Sequence, residues 1–142
     1  MISKLSEEES LLLLRDKRIA RLGCVAGNEP YVVPLNYVFD DHCVFSHSLP
    51  GRKLTAMREN PRVCVQVDEI KDLCSWKSII AYGQYEEIIE PAERERALNR
   101  LLSSFPKLTP VESLSAGDAA SPAPVMFRIR VDSITGLSEG WE

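Results

Sequence analysis

The sequence contains little that could bind a metal ion or form a disulfide framework. It has only two histidines and four cysteines in 142 residues, and no two cysteines form a Cys-x-x-Cys pair. His42, Cys43 and His47 are close together in the chain, but three ligands without a second cluster make a poor zinc site. We therefore expect no metal, and we expect buried, reduced thiols at four positions: Cys24, Cys43, Cys64 and Cys74.

Membrane-spanning and strongly basic segments are missing as well. The longest early apolar run, Leu11 to Leu14, is far shorter than the roughly 20 residues that span a bilayer. The N-terminus is acidic, whereas a secretory signal begins with basic residues. Asp and Glu (21) outnumber Lys and Arg (17), for a formal net charge of −4, so no broad positive field is available for nucleic acid. We expect a cytoplasmic protein that binds neither membrane nor nucleic acid.

The composition is typical of a globular protein, and the chain has the length of a single domain. Hydrophobic residues make up 44% and charged residues 27% of the chain. A chain of this size buries roughly two thirds of its unfolded surface, so it can fold without a disulfide or a metal. We expect one domain, residues 1–142.

Two longer helices are predicted from local signals. Ser6 and Glu9 have the spacing of a capping box, which predicts an N-terminal helix over about residues 7–15. Apolar residues recur at i, i+3, i+4 and i+7 from Leu98, which predicts an amphipathic covering helix over about residues 91–104.

Most of the remaining chain shows the period of two that is typical of β-strands. Six such runs occur, at about residues 19–26, 31–39, 43–48, 62–68, 76–89 and 125–131. Residues 52–59 are expected to form a short helix, and residues 106–124 a long loop. Short links with few intervening helices predict a mainly β protein in which a six-stranded antiparallel sheet closes into a barrel. Pro34, inside the second run, indicates an edge strand, a bulge or a ligand-facing stretch.

The segment from Ser46 to Lys53 (SHSLPGRK) carries the strongest functional signal. A helix N-terminus has unpaired amides and a partial positive charge, which favour acidic residues. Arg52 and Lys53 occupy this position instead, and the hydroxyls of Ser46 and Ser48 precede them. Such a set of donors suits a phosphate monoester. The alternative is that both cations extend into water at an exposed turn.

Four motifs follow one another around this segment: Tyr31–Tyr37 (YVVPLNY), Val44–Ser48 (VFSHS), Gly51–Leu54 (GRKL) and Asn60–Cys64 (NPRVC). In this order they resemble the pyridoxamine 5'-phosphate oxidase-like superfamily of FMN-binding split barrels, and within it the nitroimidazole-resistance (nitroreductase-like) proteins. The resemblance runs from about Arg18 to Glu90 and, more weakly, from Val125 to Gly136. It implies a split β-barrel with short covering helices and FMN bound at a homodimer interface.

The positions that match the family's FMN site lie on four segments: Pro34, Leu35 and Asn36; Ser46, His47 and Ser48; Arg52 and Lys53; Trp76 and Ser78. The resemblance implies that the first segment follows the edge of the flavin ring and that the two cations, with the serines nearby, hold the phosphate. It also implies that His47 lies beside the ring, as the candidate catalytic residue. Trp76 and Ser78 would approach the ring from the partner subunit. An ordinary strand histidine and a barrel or interface tryptophan remain the alternatives.

The function that the resemblance implies is an FMN-dependent oxidoreductase. Electrons would pass from NAD(P)H through FMN to a small acceptor such as a nitroaromatic or a quinone. True pyridoxamine phosphate oxidases carry a C-terminal Arg-x-His substrate motif that residues 135–142 (TGLSEGWE) lack, so oxidation of vitamin B6 is not expected. A non-catalytic flavin-binding or sensing protein is one alternative, and a haem- or deazaflavin-binding relative of the same barrel is another.

Overall fold

Eight strands and three helices make up the part of the chain that the structure describes. The structure is a computed structural model, and it describes residues 1–105 and 124–141. The strands are β1 (Ile2–Lys4), β2 (Ile19–Ala26), β3 (Glu29–Asn36), β4 (Val38–Asp40), β5 (Cys43–Ser48), β6 (Arg62–Asp72), β7 (Ser75–Glu87) and β8 (Val125–Glu139). The helices are α1 (Glu7–Asp16), α2 (Arg52–Glu59) and α3 (Pro91–Ser104). The loop predicted over residues 106–124 lies, except for Pro124, outside the described residues.

All of these strands belong to one antiparallel sheet. Its path runs β3-β2-β6-β7-β8-β5-β4, and β1 pairs with β8. This confirms the prediction of a mainly β, antiparallel fold. The predicted number of six strands is wrong. The run at residues 31–39 divides into β3 and β4, and β1 has only three residues, too few to show a period.

Tyr37 divides the second predicted strand because its polar groups bond outside the sheet ladder. Its backbone N–H donates to the carbonyl oxygen of Arg18 at 2.9 Å, and its phenol donates to the carbonyl oxygen of Leu14 at 2.6 Å. Leu14 lies in the last turn of α1, where carbonyls lack partners within the helix. Tyr37 is fully buried, and this burial raises the pKa of its phenol. The contact ties α1 to the sheet and turns the chain from β3 into β4.

The two ends of the sheet path meet where β3 approaches β5. The hydroxyl of Ser46, which is buried on β5, donates to the carbonyl oxygen of Asn36 at the end of β3, at 2.6 Å. No ladder joins β3 to β5 in the part of the sheet that the structure describes. The sheet therefore curls into a barrel whose edges touch without pairing, which confirms the predicted split barrel.

The helices cover the barrel as their sequence patterns predict. Ser6 and Glu9 form the capping box, with bonds of 3.0 and 3.1 Å, and α1 ends one residue later than predicted, at Asp16. The observed α3 has the predicted bounds, 91–104. It packs on the outside of β5 and β8 through a second apolar cluster: Cys43, Phe45, Ile88, Ala97, Leu101 and Met126. The larger cluster fills the barrel itself.

None of the described helices combines the length and the apolar character that crossing a bilayer would require.

Candidate functional site

Most of the predicted site residues converge on a cavity where the barrel edges touch. The cavity has a volume of about 340 Å³, and its lining residues are Pro34, Leu35, Asn36, His47, Ser48, Leu49 and Lys53. All of these except Leu49 are site residues predicted from the sequence. Leu49 is an apolar residue in the loop after β5, and neither its type nor its spacing marks it as functional.

The end of β3 forms one wall of the cavity. Among the strands that the structure describes, β3 pairs only with β2, which makes it an edge strand, and Pro34 lies opposite Arg21 in that ladder. Of the three interpretations of Pro34, an edge strand is confirmed, and Pro34 also faces the cavity. An edge strand has backbone N–H and C=O groups that no neighbouring strand uses. This wall can therefore offer backbone hydrogen bonds to a ligand.

The two serines of β5 point to different places. Ser46 is 1% exposed and its hydroxyl donates to Asn36, so the structure places it beneath the cavity rather than in it. Ser48 lines the cavity, and its hydroxyl donates to the carbonyl oxygen of Leu49 at 2.9 Å. Of the two, only Ser48 could turn its hydroxyl toward a ligand without breaking the contact that closes the barrel.

The N-terminus of α2 opens beside this cavity without a side-chain cap. Its N-cap residue is Gly51, and its first turn contains no acidic residue. By contrast, Ser6 caps α1 and Glu90 caps α3. The unpaired amides and the helix dipole therefore leave a partial positive charge at this end of α2.

Lys53 brings a full positive charge to the same place. Its side chain is half-buried and lines the cavity. Burial lowers the pKa of its ammonium group, because the charged form is poorly solvated there. No carboxylate in residues 1–105 or 124–141 forms an ion pair with it. A ligand anion in the cavity would relieve this cost.

Arg52 lies outside the cavity. Its guanidinium carbon is 4.6 Å from the centroid of the Tyr31 ring on β3, in a cation–π contact. Neighbouring helical residues point about 100° apart, and here Lys53 lines the cavity while Arg52 turns to Tyr31. Tyr31 was not among the predicted site residues, because its contact with Arg52 joins two residues that are 21 positions apart and is visible only in the fold.

Trp76 and Ser78 lie on the outside of the barrel, away from the cavity of their own chain. The indole N–H of Trp76 donates to the carboxylate of Glu139 at 3.0 Å. The hydroxyl of Ser78 accepts a hydrogen bond from the amide of Gln66 at 2.9 Å. The side chain of Ile79, the residue after Ser78, points to the opposite face of β7 and is buried in the core. The structure therefore does not bring Trp76 and Ser78 together with the other predicted site residues within one chain.

The thiols and histidines form no metal site in the part of the chain described. Asp41 and His42 form the two-residue turn between β4 and β5, both with positive φ, a geometry typical of tight hairpins. Cys24 and Cys43 are buried free thiols, as predicted, and burial raises the pKa of each. Cys64 is half-buried and Cys74 is exposed, so the prediction of burial is wrong for Cys74, which lies at the tip of the β6–β7 hairpin.

Comparison with known proteins finds relatives over nearly the whole chain. An uncharacterised protein of Rhizobium meliloti is 32% identical over 144 residues, covering 93% of this chain and 91% of the relative. A crystal structure of a FAD-binding protein from Mesorhizobium loti superposes with a TM-score of 0.80 at 32% identity, covering 99% of both chains. A Bacteroides thetaiotaomicron protein described as a 5-nitroimidazole antibiotic resistance protein superposes with a TM-score of 0.75 at 19% identity, covering 97% of this chain and 87% of that one.

The family model supports the same assignment. The model described as pyridoxamine 5'-phosphate oxidase matches residues 6–138, which include every strand from β2 to β7, nearly all of β8 and the whole cavity. The split barrel, the motif order and this match agree. The chain belongs to the pyridoxamine 5'-phosphate oxidase family.

Proposed function

We propose that this protein binds FMN, or the FMN half of a larger flavin, in the cavity between β3, β5 and α2, and that it is a flavin-dependent oxidoreductase. The observation that carries the proposal is Lys53, a half-buried cation in a cavity beside an uncapped helix N-terminus. Membership of the family and the similarity to a FAD-binding protein support a flavin as the ligand. FMN is the part that all of these flavin nucleotides share.

The phosphate end of the ligand fits at the N-terminus of α2. Lys53 supplies an ammonium group, and the first amides of α2 supply aligned donors for the phosphate oxygens. The hydroxyl of Ser48 can exchange its bond to the Leu49 carbonyl for one to the phosphate. Arg52 contributes positive potential from outside the cavity. Together these groups satisfy an anion in a place where the protein offers no carboxylate of its own among the described residues.

The remaining walls suit a flat ring system. The unpaired edge of β3 at Pro34, Leu35 and Asn36 offers backbone groups for the polar rim of a ring, while Leu35 and Leu49 exclude water. His47 lines the same cavity, and an imidazole can hold or donate a proton near neutral pH. A bound flavin supplies hydride acceptance and onward electron transfer. The chain binds and orients the ring, and His47 is the candidate for proton transfer to or from a substrate.

We also propose that two copies of the chain form a homodimer through the outer face of the sheet. The outer face of the sheet can be followed through the strand register, because residues that lie directly opposite one another on paired strands point to the same side. This register connects β3, β2, β6, β7 and β8. Several large apolar side chains on it are exposed: Ile19, Val25, Val32, Ile70, Tyr82 and Leu137. Burial of such a face against a second copy is favourable. Trp76 and Ser78 lie on this face, so a dimer would bring them toward the partner's cavity.

The dimer is tested by light scattering of the purified protein. We expect the mass of two chains, and we expect Ile70→Glu combined with Leu137→Glu to give monomers. The control is Ile89→Glu, at an exposed residue outside the sheet, which should stay dimeric. A flavin-loaded monomeric wild type would contradict the shared-site arrangement.

The activity is tested by stopped-flow reduction of the bound flavin with NADH and with NADPH. We expect the visible flavin absorption to bleach faster than free flavin does, and to return on addition of a nitroaromatic or quinone acceptor. Bleaching no faster than free flavin would make the protein a flavin-binding or sensing protein instead. A Soret band after haem addition, with no flavin retained, would assign it to haem-binding relatives.

The free thiols also agree with a reducing, cytoplasmic location, which fractionation of the source cells would test.

A further inference from the structure

Arg52 links the first turn of α2 to the sheet. The buried residues of this helix begin only at Leu54, and the N-cap residue, Gly51, has no side chain that could fasten the start of the helix. Arg52 is exposed, and its guanidinium carbon lies 4.6 Å from the centroid of the Tyr31 ring. This contact joins the start of α2 to β3, the strand that forms one wall of the proposed FMN cavity.

Tyr31 offers Arg52 a surface whose position is fixed by the sheet. In the ladder between β2 and β3, Tyr31 lies directly opposite Cys24, which is buried in the barrel. Residues directly opposite one another point to the same side of a sheet, so the Tyr31 ring points inward, where it packs against the larger apolar cluster. Burial raises the pKa of the Cys24 thiol, and the charges of Arg52 and Lys53 counteract this rise, so both cations lie near this point of the ladder.

The contact partner of Arg52 is a neutral ring rather than a carboxylate. Within residues 1–105 and 124–141, no carboxylate forms an ion pair with Arg52. An ion pair would fix the guanidinium group, but it would also cancel its charge at short range. A tyrosine ring attracts the cation through its quadrupole and leaves the charge uncompensated. Tyr31 therefore holds Arg52 in place while Arg52 still contributes to the positive potential at the N-terminus of α2.

From this geometry we propose that Tyr31 is a positioning residue for the phosphate end of the bound flavin, and that it acts through Arg52. Its ring holds the first turn of α2 at the distance from β3 at which Lys53 and the amides of α2 face the same phosphate. Neither Tyr31 nor Arg52 contacts the phosphate in this arrangement. The inference rests on the proposed function, because it takes the phosphate to lie beside Lys53. It goes further by naming the contact that orders this end of the site.

The inference is tested by titrating the flavin-free, full-length protein with FMN and with riboflavin, followed by flavin fluorescence. Tyr31 is half-buried on an edge strand, so Tyr31→Leu should fold. It should weaken FMN about three- to tenfold, as expected for loss of one partly buried cation–π contact. Riboflavin has no phosphate, so its affinity should stay within about twofold, which also shows that the variant is folded. Tyr31→Phe keeps an aromatic ring and should bind FMN within about twofold of the wild type.

A double-mutant cycle shows whether Tyr31 acts through Arg52. Arg52→Met, at an exposed position, removes the charge and the stacking contact, and it should weaken FMN at least as much as Tyr31→Leu does. When Tyr31→Leu is added to Arg52→Met, the further loss should be less than about twofold, because the contact is already gone. Val32→Leu, on the same strand with its exposed side chain on the opposite face, is the matched control and should bind both ligands like the wild type.

Three results would overturn the inference and leave the proposed function intact. The first is a Tyr31→Leu variant in which FMN and riboflavin weaken equally, because Tyr31 would then be a structural residue only. The second is a Tyr31→Leu variant whose FMN affinity is unchanged or higher, because Arg52 would then need no anchor or would bind the phosphate itself. The third is full additivity in the cycle. Failure of the wild type to bind FMN is a different result, because it would overturn the proposed function itself.

Discussion

Lys53 is the side chain whose removal tests the proposed cofactor site most directly. Its ammonium group lines the cavity, is half-buried and lies beside the uncapped N-terminus of α2. The substitution Lys53→Met removes the charge and keeps most of the apolar stem, so the packing of α2 is preserved. The loss of affinity can then be assigned to the missing charge.

The expected magnitude follows from the kind of contact that is lost. A hydrogen bond to a charged group contributes about 1.5–3 kcal/mol, which corresponds to a loss of affinity of about 10- to 150-fold. This loss should appear for FMN, which carries a phosphate, and not for riboflavin, which lacks one. Arg52→Ala should weaken FMN less than Lys53→Met does, because Arg52 lies outside the cavity on Tyr31.

The assay is a titration of each variant with FMN and with riboflavin, followed by flavin fluorescence. Lys4→Met, at an exposed lysine of β1, is the matched control and should bind both ligands like the wild type. Burial lowers the pKa of Lys53 from its ordinary value of 10.5, so FMN affinity should already begin to fall at alkaline pH values below that number. Equal losses of FMN and riboflavin in Lys53→Met would refute the assignment of Lys53 to the phosphate.

Three further predictions concern stability. Tyr37→Phe leaves the buried carbonyl of Leu14 without its 2.6 Å donor and should lower the free energy of unfolding by about 1–2 kcal/mol in urea; a change below about 0.5 kcal/mol would contradict this. Gly83→Ala places a methyl group against the carbonyl oxygen of a neighbouring strand and should cost about 3 kcal/mol by the same assay. Gly51→Ala serves as the near-neutral control, because its methyl group would meet the Leu49 carbonyl oxygen at an ordinary contact distance of 3.9 Å. Hydrogen bonds from two arginines lower the pKa of Glu86 from 4.5, so the stability they contribute is present above about pH 4.5 and is lost as the pH falls through the lowered value. Urea midpoints measured against pH should fall less steeply in Glu86→Gln; parallel curves would argue against the linkage.

The features of the fold that were predicted correctly depend on neighbours within a few residues. Ser6 and Glu9 are three residues apart, and both hydrogen bonds of their capping box join these two residues alone. The apolar stripe of α3 and the position of Pro34 on an edge strand likewise depend on helical spacing and on the missing N–H of proline. Residues close together in the sequence determine the geometry of these elements, so their bounds could be predicted well.

The features that were missed depend on contacts between distant residues. The break at Tyr37 needs the carbonyl of Leu14, 23 residues earlier. The inward turn of Ser46 needs the carbonyl of Asn36, ten residues earlier across the barrel edge. No period or motif around Tyr37 or Ser46 reveals these partners, so the strand count differed from prediction and the hydrogen bond from Ser46 to Asn36 was not foreseen.

The amino-acid sequence by itself determined the family, the antiparallel β architecture and the stretch of chain that carries the candidate site. Only the tertiary structure decided how those side chains are distributed: Lys53 enters the cavity, Arg52 stacks on Tyr31, and Trp76 and Ser78 face outward from the barrel. The reason is geometrical. Helical and strand periods fix the angle between neighbouring side chains, but the packing of α2 and the curl of the sheet decide which of those directions faces the cavity.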